Sequence, residues 1–155
     1  MTNQFELNRR VVFFLALGAV AGTAFSAESR PKVEVWKDPH CGCCKDWITH
    51  LEKSGFEVRV NETCKDQARQ GLGIPQSLGS CHTASVGGYA IEGHVPAREI
   101  KRLLAAKPQA VGLSVPGMPI GSPGMDGAIY KGRKDPFDVL LVAKDGTSTV
   151  YQSYR

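Results

Sequence analysis

Cys41-Gly42-Cys43-Cys44 puts three thiols within four residues, too many for one disulfide. Two motifs are nested there, a C-x-x-C from the outer pair and a C-x-C from Cys41 and Cys43. A C-x-x-C suits dithiol redox work, in which a stabilised thiolate attacks and its neighbour resolves. The inserted third thiol argues against a simple redox pair, because it competes as a resolving group. Soft Cu(I) favours thiolates and shares them as bridges between ions, so a packed group of sulfurs suits it. Zinc can take the same thiolates with one histidine. A disulfide with a buried free cysteine is the alternative without metal.

Further donors follow along the chain. Ser80-Cys81-His82-Thr83 offers a fourth thiol with a histidine beside it, and Glu92-Gly93-His94-Val95-Pro96 reads as a bend that presents His94. A disulfide from Cys81 to one of the cluster competes with a metal here. Met118 and Met125 lie in a Gly/Pro-rich loop, and thioether sulfur suits copper and few other biological metals. Packing is the default role of a methionine, so their weight comes from the thiols elsewhere in the chain. His40 adjoins Cys41 and can bind, whereas His50 falls on the polar side of the first helix and is expected to be solvated. Cys64 sits in a polar stretch and reads as a free thiol or the source of a dimer.

The elements that must position these residues can be read from periodicity and breakers. Lys32 to Lys37, with Val33, Val35 and Trp36, reads as a buried strand ended by the Asp38-Pro39-His40 turn. From Cys44, the residues Trp47, Ile48 and Leu51 share a helical face, and Gly55 stops that helix. Phe56 to Val60 alternates as a second strand. A short helix from about Asp66 to Leu72 follows. Strand-like stretches at His82 to Val86 and Tyr89 to His94 are joined by Gly87-Gly88, which suits a tight hairpin. Pro96 then opens a helix with an apolar face at Ile100, Leu103 and Leu104.

The order βαβα then ββα is the thioredoxin order, with Cys41 to Cys44 at the amino end of the first helix. Helix-end amides and the dipole stabilise thiolates at that position. Cys81 falls about where such folds place a cis-proline opposite the helix start, so it is expected to point at the other three thiols. The fold class expected is therefore α/β, thioredoxin-like. Beyond Pro108 the chain departs from that plan, with a long Met/Gly/Pro loop and a final hairpin, Phe137 to Ala143 and Thr147 to Tyr154.

A chain of 155 residues with 42% hydrophobic content is one domain's worth, with enough apolar matter to close a core. Asn8-Arg9-Arg10 followed by an apolar run to Phe25 has the n-region and h-region of an export signal, so residues 1–26 are expected to be removed and 28–155 to form the metal-binding domain. About 15 apolar residues is short for a bilayer that needs roughly 20, so no stable membrane anchor is expected after cleavage. The paired arginines resemble a twin-arginine signal, and an ordinary secretory signal is the alternative. The formal net charge of +4 loses one unit with Arg9, Arg10 and Glu6. Without basic runs or finger-type spacing, nucleic-acid binding is unsupported. All five cysteines and all four histidines lie beyond the signal. An odd number of thiols in an oxidising compartment leaves at least one that needs a metal, a reactive role or an intermolecular partner.

Asp38-Pro39-x-Cys41-Gly42-Cys43-Cys44-x-x-Trp47, Gly73-Ile74-Pro75, Ser80-Cys81-His82-Thr83-Ala84, Gly88-Tyr89-x-Ile91-Glu92-Gly93-His94-Val95-Pro96-Ala97 and Val115-Pro116-Gly117-Met118-Pro119 through Pro123-Gly124-Met125 resemble the CopG family of exported copper-resistance proteins. The resemblance covers nearly all of the mature chain. It implies a thioredoxin-like fold in which Cys41, Cys43, Cys44 and Cys81 bridge a small, multinuclear copper cluster. It also implies a periplasmic setting, interconversion of Cu(I) and Cu(II), and partners in copper efflux or copper oxidation. His82, His94, Met118 and Met125 match the motifs and are carried as further candidate ligands, while Cys64 falls in none of them. A metal-independent thiol–disulfide oxidoreductase and a structural zinc domain are the rival readings.

Overall fold

The computed structural model describes residues 29–155, so the expected export signal lies outside the described residues. β1 (Lys32–Lys37) runs parallel to β2 (Glu57–Asn61) and antiparallel to β3 (His82–Val86). β3 pairs antiparallel with β4 (Tyr89–Glu92). Helix α1 (Gly42–Lys53) links β1 to β2, α2 (Lys65–Gly71) leads from β2 towards β3, and α3 (Ala97–Ala106) follows β4. This is the βαβα then ββα order expected from the sequence.

The stretch after Pro108 holds a strand that periodicity did not reveal. Gly112–Ser114 forms β5, which pairs parallel with β4 and antiparallel with β6 (Phe137–Val142); β6 in turn pairs with β7 (Ser148–Tyr154). Three residues are too few to show a period-two pattern. Because of β5, the terminal hairpin continues the main sheet. One mixed sheet of seven strands results, in the order β2-β1-β3-β4-β5-β6-β7.

Strand alternation gives that sheet two faces with different chemistry. Val35, Ala84, Ile91 and Leu113 lie side by side across four strands and meet Trp47, Ile48 and Leu51 of α1 and Ile100 and Leu103 of α3. This is the main core, where each large apolar side chain contributes about 1.5–3 kcal/mol by leaving water. On the other face Thr83, Glu92 and Ser114 are in register, and Arg69 of α2 is buried against Glu92. Ile74, Ala90 and Val142 form a smaller apolar cluster.

The expected burial of Trp36 is corrected. Val33, Val35 and Lys37 are the buried residues of β1, and Trp36 is half-buried on the opposite pleat. Lys37 remains satisfied there, because its Nζ donates to the Asp38 carbonyl at 2.9 Å and to Glu62 Oε1 at 3.3 Å. Among the described residues no helix is long and apolar enough to cross a membrane.

Candidate metal centre

The Cys41 N–H donates to the Asp38 carbonyl at 3.1 Å, which closes the Asp38-Pro39-His40 turn and sets Cys41 as the N-cap of α1. Cys43 and Cys44 therefore occupy the first turn. Cys41 and Cys44 form a disulfide, while Cys43 and Cys81 are half-buried free thiols. The pairing left open by the sequence is thus the outer pair of the motif. Cys43 Sγ lies 3.6 Å from Cys41 Sγ and 3.9 Å from Cys81 Sγ, and Cys44 Sγ lies 3.6 Å from Cys81 Sγ.

Cys81 also belongs to a second group. Its Sγ is 3.3 Å from His82 Nδ1 and 3.1 Å from His94 Nε2. Within each group, Cys41-Cys43-Cys44-Cys81 and Cys81-His82-His94, the potential ligand atoms all lie within 4.8 Å of one another. The chain delivers these donors from three places: the start of α1, the mouth of β3, and the bend after β4. Trp47 of α1 braces them, with its indole N–H on the Val95 carbonyl at 2.9 Å and its ring 4.2 Å from that of His82.

The protonation pattern fits metal capture. His94 Nδ1 lies 2.9 Å from the Pro123 carbonyl, which can only accept, so Nδ1 carries the proton and the Nε2 lone pair faces Cys81. Burial pushes the His94 pKa below its ordinary value, against the raising effects of Pro123 and Asp126. Burial and the neighbouring His94 push His82 well below its ordinary value. Neutral imidazole is the ligating form. Cys81 is pushed up to about 12, first by burial and then by Cys43. A thiolate buried without a counter-charge is disfavoured, and a bound cation reverses that balance. His82 Nε2 is buried with no hydrogen-bond partner among the described residues.

The Gly/Pro loop covers this site. A Cβ on Gly124, whose φ is +86°, would sit 2.7 Å from the Cys43 carbonyl oxygen and 2.8 Å from the Trp47 nitrogen, so only glycine permits that approach. The Gly121 N–H donates to the Met125 carbonyl and the Met125 N–H to the Ser122 carbonyl, both at 2.8 Å, while Ser122 Oγ donates to the Pro119 carbonyl at 2.7 Å. Met125 of this loop is buried, and its sulfur accepts from the Tyr130 hydroxyl at 3.3 Å. Met118 is 53% exposed.

Other sequence candidates lie elsewhere. His40 is exposed, and its backbone N–H donates to Asp38 Oδ1 at 2.8 Å. Cys64 is an exposed free thiol at the N-cap of α2. The solvated His50 expected from the helix pattern is corrected: it is half-buried, and its Nε2 accepts the Ala97 N–H at 3.1 Å, capping α3. Sequence reading also missed Arg69, an arginine of a polar seven-residue helix whose partner Glu92 is distant in the chain. Glu92 stood in a recognised motif but drew notice only as a neighbour of His94.

Residues 78–125 match a family described as "Protein of unknown function, DUF411". No curated protein matches the chain. The solved structure "Copper resistance protein copG- Form 2" is 42% identical, with 81% of this chain and 99% of that chain covered and a TM-score of 0.75. "Copper resistance protein copG- Form 1" is 43% identical, with 79% and 96% covered and a TM-score of 0.73.

Proposed function

The chain belongs to the CopG family of copper-resistance proteins, and we propose on that premise that it binds copper through its cysteine cluster and contributes to copper resistance. The observation that carries this reading is the convergence of three sulfurs and two imidazoles on Cys81, within two groups of mutually close ligand atoms. Sulfur and imidazole together suit copper ions, and thiolates can bridge several of them, which supports a multinuclear site. Met118 and Met125 are further candidate ligands on the covering loop.

Interconversion of Cu(I) and Cu(II) fits the electron count. Opening the Cys41–Cys44 disulfide to two thiolates takes up two electrons, the number released when two Cu(I) ions become Cu(II). Copper is the substrate in that reading, and the enzyme class is a copper oxidoreductase. The strand order β2-β1-β3-β4 with its flanking helices supports a thioredoxin-like core. The signal-like residues 1–26 support a periplasmic setting, where partners in copper efflux or copper oxidation would exchange the ion.

The test is anaerobic Cu(I) binding by the reduced protein. Wild type is expected to hold copper against a competing chelator with the near-ultraviolet absorption of copper–thiolate bonds, and a variant carrying Cys43→Ser and Cys81→Ser to lose both. Equal copper in the two proteins overturns the reading. The Cys41–Cys44 disulfide at a helix start favours one second reading, a metal-independent thiol–disulfide oxidoreductase. That reading requires insulin reduction that is abolished by Cys41→Ser and unaffected by chelators.

A further inference from the structure

We propose that the buried Arg69–Glu92 pair is the positioning device for Cys81, holding in place the thiol that both donor groups share. Ser80 and Cys81 precede β3, so the sheet ladder does not fix them. The ion pair does so instead. The Ser80 N–H donates to Glu92 Oε1 at 2.6 Å, and the Ser80 carbonyl accepts from Arg69 Nη2 at 2.8 Å. Arg69 Nε donates to the same Oε1 at 2.9 Å, and Thr83 Oγ1 donates to Oε2 at 2.6 Å. The clamp thus grips the chain on both sides of Cys81-His82.

Arginine is required for this arrangement. Its remaining nitrogen, Nη1, donates to Asp66 at 2.9 Å and to Gln76 at 3.2 Å, so one planar fork serves four acceptors from separate segments. A lysine ammonium cannot reach them together. The surrounding backbone is shaped to the guanidinium as well: a Cβ at Gly79 would sit 2.9 Å from Arg69 Nη1 and 3.0 Å from its Cζ. The same segment carries the covering loop, because the Gly117 N–H donates to the Gly79 carbonyl at 3.2 Å and Ser80 Oγ donates to the Gly117 carbonyl. A shift of Ser80 would therefore move Cys81 relative to Cys44, Cys43 and His94 at once.

The test begins without metal and rests on the copper reading only in its second arm. With the Cys41–Cys44 disulfide intact, iodoacetamide is applied and the labelling rates of Cys81 and Cys64 are read by peptide mass spectrometry. Cys64 serves as the internal control because it is exposed and outside the cluster. Arg69→Met and Arg69→Lys are each expected to raise the Cys81-to-Cys64 ratio by about tenfold, the equivalent of one charge-assisted hydrogen bond. Glu99→Gln, which alters a carboxylate buried elsewhere, is expected to leave the ratio as in wild type. An unchanged ratio in the Arg69 variants, or an equal rise with Glu99→Gln, overturns the proposal. If Arg69→Met does not fold, the ratio in Arg69→Lys alone decides between these outcomes. In the second arm, reduced Arg69→Lys is expected to surrender Cu(I) to a chelator about tenfold faster than wild type, and an equal rate overturns the positioning role. Failure of wild type to hold Cu(I) would overturn the copper reading while leaving the labelling result standing.

Discussion

Glu92 and Glu99 are both fully buried carboxylates that meet arginine, yet their surroundings differ. Glu92 pairs at 2.9 Å with Arg69, whose side chain is 4% exposed, so both charges are out of water. Glu99 meets Arg98 at 2.9 Å and Arg102 at 3.2 Å, with those side chains 72% and 44% exposed. The Tyr154 hydroxyl completes the second set by donating to Glu99 Oε1 at 3.0 Å, while Arg102 approaches Oε2 as a charge without hydrogen-bond alignment. One network holds an irregular segment at the candidate metal site; the other docks β7 against α3. Where solvent screens the cations, the pair acts as a weak fastener. Where both members are buried, each depends on the other, and the surrounding chain is organised around them.

Removing one arginine from each network separates the two cases most strongly. Arg69→Met leaves a buried carboxylate uncompensated and is expected to destabilise the fold by about 3–5 kcal/mol. Arg102→Met, which removes a half-exposed partner, is expected to cost about 1 kcal/mol or less. Urea unfolding of the two variants decides it, and equal losses would erase the distinction. An effect of similar size should follow from Tyr154→Phe, at about 1 kcal/mol for one hydrogen bond to Glu99. That loss should leave the labelling of Cys81 as in wild type; a change there would mean that the two networks communicate.

The finest effect concerns pH at the amino end of the helix that carries Glu99. Burial lowers the His50 pKa from its ordinary value of 6.5, opposed by Asp126, and the neutral ring accepts the Ala97 N–H. Because the folded value lies below the unfolded one, the unfolded chain takes up the proton first as pH falls. The His50 contribution is therefore complete above 6.5 and is lost as pH drops below it. His82 and His94 act in the same direction, so the useful quantity is a difference of slopes. Between about pH 8 and about pH 5, His50→Gln should lose less stability than wild type in chemical denaturation. A slope as steep as that of wild type would mean that His50 does not contribute to the pH dependence.

The elements around the thiols were legible because each carried its own local signal. Trp47, Ile48 and Leu51 mark one helical face, and Gly87-Gly88 marks the β3–β4 turn. The convergence of Cys81 on the Cys41–Cys44 segment followed from strand order. The disulfide partner did not, since the cluster with Cys81 allows several pairings and only three-dimensional proximity selects one. Arg69 was invisible for a similar reason. Nothing local separates it from a solvated arginine, and its partner arrives only when β4 is laid beside β3. His50 misleads in the same way: its ring nitrogen finds in the Ala97 N–H a donor that tertiary packing supplies.

The covering loop enters the sheet as the connection of an antiparallel pair. β5 and β6 are hydrogen-bonded neighbours, and the chain from Val115 to Pro136 is inserted between them with both ends fixed by that pairing. Loop-closure entropy rises only with the logarithm of length, so doubling such an insert costs only about 0.6 kcal/mol. The sheet consequently sets little limit on how long the cover is. Its length and composition can change, provided that Pro123 and Gly124 still return to His94 and Cys43.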